Sequence, residues 1–168
     1  MRPTRKGFLM KQSKELIVEQ LDRLSQIELE EINYFVSTYK KSPTVGQSGK
    51  VPMHFFGRLV GLRQLAENQV EMSLGIHNVN TYGVAQGGSI YTLADVTIGF
   101  MILNQLIEGQ KVFTLEMKVN FITKGVGTRL IATPTILRLG RTTVVAECTI
   151  EDEDGNLVAK ALGTFYVV

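Results

Sequence analysis

The chain has no tryptophan, one cysteine, two histidines and four prolines in 168 residues. A lone cysteine, Cys148, excludes an internal disulfide and any cysteine-based zinc cluster, and it fits a reducing, cytoplasmic setting. It shares a predicted strand face with Val144, Ala146 and Ile150, as a buried, inert thiol would. Neither His54 nor His77 is near it in sequence, so a cysteine nucleophile lacks an evident base. The net charge of +2 gives no electrostatic case for nucleic acid as a partner. Arg2, Arg5, Lys6, Lys11 and Lys14 cluster at the start and read as a solvated, partly disordered tail. Gly7-Phe8-Leu9-Met10 is too short an apolar run for a signal peptide. The apolar stretch 84–107 approaches spanning length, but Gln86, Asp95, Asn104 and Gln105 interrupt it. A buried core helix is expected there, with no membrane insertion.

Charge is scarcest in the middle of the chain. Asp95 is the only formally charged side chain between Glu71 and Glu108. It sits in the run Ile90-Tyr-Thr-Leu-Ala-Asp-Val-Thr-Ile-Gly-Phe-Met-Ile-Leu103. A carboxylate in such surroundings must be paired, be used, or reach water. Gly87-Gly88 opens the same run, and glycines before a helix let a ligand approach its free N–H groups. Ordinary readings stand beside these. A glycine pair is commonly a turn, Asn80 a loop residue, and Thr114 a plain strand threonine.

Residues 13–41 have helical periodicity, and Ser25-Gln-Ile-Glu28 reads as a capping box that divides them into two helices. The turn-rich segment 42–50 marks the expected boundary between an N-terminal extension, 1–50, and a main domain, 51–168. Strands are predicted at 56–65 and 70–76, one long helix at 88–107, and strands at 111–123, 128–139, 142–151 and 156–167. Lys111 to Phe121 alternates, with Phe113, Leu115, Met117, Val119 and Phe121 on one face and Thr114, Glu116, Lys118 and Asn120 on the other. Asp154-Gly155 is a hairpin turn, and Pro134 requires an edge or a bulge. The order ββ–α–ββββ implies an α+β fold, an antiparallel sheet packed on one helix. One helix covers little of six strands, so a second subunit is expected on the remaining surface.

Asp95 follows Gly87 by eight residues, about 12 Å along a helix rising ~1.5 Å per residue. One carbonyl cannot touch both on a single helix. If the two cooperate, they come from two helices, hence from two subunits. The chemistry would be an oxyanion on backbone N–H groups beside a carboxylate base or nucleophile, which suits acyl transfer to water.

The pattern Asn80-x-x-Gly83-x-x-Gln86-Gly87-Gly88-x-x-x-x-Leu93-Ala94-Asp95 resembles the signature of hotdog-fold acyl-CoA thioesterases of the phenylacetate-degradation type. Thr114-Leu-Glu-Met-Lys-Val-Asn-Phe121, Leu137-Arg-Leu-Gly-Arg141 and Glu153-Asp-Gly-Asn-Leu-Val-Ala159 are similar to its later strands. The resemblance covers about residues 55–168. It implies a sheet wrapped around a long central helix, assembled as a dimer or a dimer of dimers, that hydrolyses acyl-CoA. No metal or cofactor is implied beyond the coenzyme A of the substrate. Asp95 matches the carboxylate that attacks the thioester or activates water. Gly87 matches the N–H that binds the thioester oxygen, with Gly88 beside it. Asn80 matches a polar residue near the thioester, and Thr114 falls near the Ser/Thr that positions water. Gln86 stands where the family most often has histidine, and glutamine cannot titrate there. Lys124 and Arg141 are candidates for the coenzyme A phosphates. Two other classes compete. One is a non-catalytic acyl-CoA-binding hotdog module, which Gln86 favours. The other is a hydratase, which needs a histidine in a motif that neither His54 nor His77 occupies.

Overall fold

The computed structural model describes residues 5–40, 52–66 and 68–168. Contacts divide the chain into two compact units between Ser37 and Thr38. The expected boundary segment 42–50 lies outside the described residues.

Helix α1 spans Arg5–Leu21 and α2 spans Gln26–Lys40. The helix begins at Arg5, so the predicted basic tail is helical from that residue on. The capping box forms as predicted. Ser25 donates its N–H to Glu28 Oε2 at 2.8 Å, and Ser25 Oγ accepts the Glu28 N–H at 3.4 Å. Two helix-end donors are thereby satisfied, which divides the helical run. Leu16, Ile17 and Ile27 remain more than half exposed.

The second unit is an antiparallel sheet around one helix. A short helix, α3 (Phe55–Leu59), precedes β1 (Leu62–Ala66) and β2 (Gln69–Ser73). The predicted strand 56–65 is therefore helical over its first residues. His54 causes this: its Nδ1 accepts the Gly57 N–H at 2.8 Å and caps the turn. Histidine is not among the favoured capping residues, so apolar Phe-Phe-Gly-Arg-Leu resembled a strand. Arg58 holds the turn by donating to the Met53 carbonyl at 2.7 Å.

Helix α4 (Gly87–Gln105) is followed by β3 (Val112–Phe121), β4 (Arg129–Leu139), β5 (Thr143–Asp152) and β6 (Leu157–Val167). The sheet order is β1-β2-β4-β5-β6-β3, antiparallel throughout. This is the hotdog arrangement. Helix α4 packs chiefly against β2 through β6. Its buried residues, among them Ile90, Leu93, Ile98, Phe100 and Ile102, point in several directions around the axis, as a wrapped helix requires. Full burial of each such side chain contributes about 1.5–3 kcal/mol. Thr97, also buried, donates to the Leu93 carbonyl at 2.6 Å and so needs no partner outside the helix.

Strand β4 has two neighbours only where β2 pairs with it, from Arg129 to Ala132. Pro134 lies beyond that point, so the strand is locally an edge there, as its missing N–H demands. The last hairpin turns at Gly155, whose φ of +81° suits glycine, and the Asp152 carboxylate accepts the Asn156 N–H at 2.8 Å. Cys148 is fully buried among Val144, Ala146 and Ile150.

One prediction about β3 fails. Its alternation breaks at Leu115, where the ladder to β6 shifts register between Thr114 and Glu116. Before the break, Thr114 opposes inward-facing Phe165; after it, Met117 opposes Gly163 and Phe121 opposes Ala159. Thr114 thus shares the inner face with Met117, Val119 and Phe121, whereas Phe113 pairs with exposed Tyr166 on the outer face. A bulge admits one extra residue and turns the preceding side chain to the other face.

Candidate functional site

The loop before α4 is organised by a residue that sequence patterns did not single out. Asn78 is buried and fully engaged. Its amide donates to the carbonyls of Ser73 at 2.7 Å and Val60 at 3.0 Å, and its Oδ1 accepts the Gly75 N–H at 3.0 Å. Its backbone carbonyl accepts the Gln86 N–H at 2.8 Å, which sets where the helix begins. Asn80 closes the next turn: its Oδ1 accepts the Tyr82 N–H at 2.9 Å and the Val84 N–H at 3.4 Å. The Asn80 side-chain oxygen is thus committed to the loop, and its NH₂ group has no acceptor among the described residues.

Gln86 is the N-cap of α4, and its Oε1 accepts the Ser89 N–H at 2.9 Å. Gln86 Oε1 thus caps the start of the helix. The two glycines have steric reasons. A Cβ at Gly88 would lie 2.8 Å from Gln86 Oε1, and one at Gly87 would lie 3.3 Å from the Phe121 ring. With Ser89 N–H capped, the N–H groups of Gly87 and Gly88 have no acceptor among the described residues. These donors, at the positive end of the helix dipole, suit a negative or developing-negative oxygen.

Gly87 opens onto a cavity of about 360 Å³ lined by Ala85, Ile90, Phe121, Ile122, Thr123, Lys124 and Gly125. Lys124 is thereby placed at the helix N-terminus, where an anionic group would gain from it. Arg141 is exposed in the turn between β4 and β5 and lines neither this cavity nor the one at Asp95. Arg129, another strand-end cation, is paired with Glu71 at 3.4 Å.

Asp95 lies two turns farther along α4 and is half-buried. Thr114 donates from Oγ1 to Asp95 Oδ1 at 2.7 Å. That is the sole hydrogen bond to this carboxylate among the described residues, so Oδ2 stays open. The pair lines a second cavity of about 190 Å³, whose walls include Val96, Gly99, Phe100, Leu103, Val112 and Phe165. His54 also lines it, a placement that its distance in sequence concealed. Because His54 Nδ1 accepts from Gly57, the neutral ring carries its proton on Nε2. His77 lines neither cavity, and burial holds its imidazole below the ordinary range.

Within one chain, then, the free helix N–H groups and the carboxylate belong to different cavities. The structure brings Thr114, Asp95 and His54 together, and separately Gly87 and Lys124.

A hotdog domain with a carboxylate and an open helix N-terminus on its central helix is thus defined, and comparison places its sequence. Residues 82–159 match the thioesterase superfamily. A provisionally named esterase of Saccharolobus solfataricus is 34% identical over 51% of this chain. The match spans 61% of that relative's length. The medium/long-chain acyl-CoA thioesterase YigI of Salmonella typhimurium is 25% identical over 67% of this chain and 84% of its own length. Among solved structures, a Bacillus halodurans protein crystallised with CoA superposes with a TM-score of 0.76 at 22% identity, covering 92% of this chain and 99% of that one. A Pseudomonas aeruginosa protein superposes with a TM-score of 0.65 at 29% identity over 69% of this chain and 95% of its own.

Proposed function

We propose that the protein hydrolyses acyl-CoA thioesters to the free acid and CoA, at sites shared by two chains. The observation that carries this reading is the Thr114–Asp95 hydrogen bond in the lining of a largely apolar cavity. The acyl group enters that cavity, and Asp95 Oδ2 faces the thioester carbon or a water. The carbonyl oxygen accepts from Gly87 N–H of the second chain, since eight residues, about 12 Å, separate the two groups on one helix.

As a general base, Asp95 takes a proton from water while the water oxygen bonds to the carbonyl carbon. The resulting oxyanion is held by the helix N–H groups. The C–S bond then breaks, the electron pair leaves with sulfur, and the sulfur recovers the proton. As a nucleophile, Asp95 instead forms a mixed anhydride and releases CoA thiolate, and water then hydrolyses the anhydride. Thr114 holds the carboxylate in either course. Lys124, which lines the cavity at Gly87, is a candidate for a coenzyme A phosphate. No cofactor takes part.

Pairing is supported by β3. It is the edge strand beside β6, and Phe113, Leu115 and Phe121 on it are more than half exposed. Such an edge is a template for a second copy. The resemblance further suggests the phenylacetate-degradation type and a dimer of dimers. The match to the thioesterase superfamily and the similarity to an acyl-CoA thioesterase support the reaction class.

A non-catalytic acyl-CoA binder is the second reading, favoured by one observation: Gln86, which does not titrate, stands at the helix start with its Oε1 accepting the Ser89 N–H. Thiol release measured by absorbance over acetyl-, hexanoyl-, palmitoyl- and phenylacetyl-CoA separates the two, alongside calorimetric binding of the same compounds. Turnover of one or more supports the hydrolase. Binding without turnover across the panel replaces it with the binder.

A further inference from the structure

Gly99 is the glycine of α4 that folding does not explain. It lies four residues after Asp95, on the same side of the helix, and lines the same cavity. Its φ is not positive, so the backbone does not require glycine there. Among the described residues, a Cβ built on it meets no atom within 4 Å beyond its chain neighbours and its own helix backbone. Gly163 differs: a Cβ there would crowd the Glu116 carbonyl and Phe165 at 3.1 Å. Glycine inside a helix also weakens it relative to alanine. A destabilising residue with no packing or backbone reason among the described residues of its own chain, on the wall of a cavity, keeps that cavity open.

We propose that Gly99 sets the size of the acyl group accepted at Asp95, by leaving room that any side chain would fill. The inference rests on the thioesterase reading. The side chains on either side of it along this face, Val96, Phe100 and Leu103, together with Val112 and Phe165, supply apolar walls. A side chain at position 99 would project between them, within one helical turn of the carboxylate. One chain contributes about 190 Å³ to the site, so a side chain at position 99 would take a sizeable part of that share.

The test is Gly99→Ala and Gly99→Leu in the full chain, measured as thiol release over acyl-CoAs of increasing size, with thermal melts and light scattering. Neither variant should melt below the wild type, and Gly99→Ala should melt up to about 2–4 °C higher. In Gly99→Leu the ratio of kcat/KM for the largest acyl group hydrolysed to that for acetyl should fall by about 10-fold or more, with a smaller fall in Gly99→Ala. An acyl-size profile unchanged in both variants would overturn the proposal. So would a change in assembly or a lower melting temperature in Gly99→Ala, which would show that the glycine serves packing. If the wild type itself hydrolyses nothing in the panel, the thioesterase reading fails first, and that result is distinct from an unchanged profile.

Discussion

Thr114 and Asp95 meet at 2.7 Å because Leu115 is an extra residue in its strand. In a regular strand Thr114 would face outward with Glu116, and the carboxylate would have no hydrogen-bond donor. The bulge aims one hydroxyl at one carboxylate oxygen and leaves the other open.

Asp95→Asn keeps the size of the side chain and removes its basicity. Turnover should fall by about 10²–10⁴-fold with acyl-CoA binding largely retained. Thiol-release kinetics beside calorimetric binding will show this. Hydrolysis near the wild-type rate by a folded Asp95→Asn protein would remove Asp95 from the reaction.

Thr114→Val keeps the shape of the side chain and removes the donor to Asp95. The loss should appear in kcat more than in KM, about 10-fold, because binding and folding do not depend on that bond. Thr114→Ser should restore most of it. Equal kinetics for the Val and Ser variants would assign Thr114 no part in holding the carboxylate.

Gly87→Pro removes one N–H while keeping a residue type favoured at the first helical position. Gln86 already has ψ 134°, the conformation a following proline prefers. The added Cβ would lie 3.3 Å from the exposed Phe121 ring, which must yield by a few tenths of an ångström; the variant should then fold and lose rate by about 10²–10³-fold, the effect of deleting one oxyanion donor. Mixed dimers of Gly87→Pro and Asp95→Asn chains should recover activity, because one of their two shared sites is intact. No recovery on mixing, with mixed dimers shown by mass spectrometry, would place both groups in one chain's site.

Gln86→Ala should lower unfolding stability by about 0.5–2 kcal/mol, the usual effect of losing an N-cap acceptor. Gln86→His should fold and keep or gain activity, since imidazole can accept the same Ser89 N–H. Urea unfolding and thiol release on both variants will test this. Unchanged stability in Gln86→Ala would show that the cap carries no weight.

Burial pushes the Cys148 thiol up to about 12 from an ordinary 9.0. The folded state therefore favours the neutral thiol. Its contribution to stability is complete below pH 9 and is lost progressively as pH rises from there toward 12. Iodoacetamide at pH 8 should leave the folded protein unlabelled and label it once unfolded. Rapid alkylation of the native protein would contradict the burial.

The sequence by itself determined the long buried helix, the four strands after it, the capping box at Ser25 and the hairpin turn at Gly155. Each is written in local periodicity or turn chemistry, which a short window of residues expresses. It also marked Asp95, because a charge among apolar residues is conspicuous without coordinates. Helix α3 departs from its strand-like pattern because its cap is a histidine. The face of Thr114 departs from simple alternation because a bulge changes parity without changing composition. Tertiary structure alone decided that Gln86 caps the helix, that His54 reaches the Asp95 cavity, and that Gly99 opens that cavity. It alone showed that Arg141 stands apart from both cavities while Lys124 lines one. These are relations between residues remote in sequence or between side chains and space. They arise when the sheet closes around the helix, and no local pattern records them.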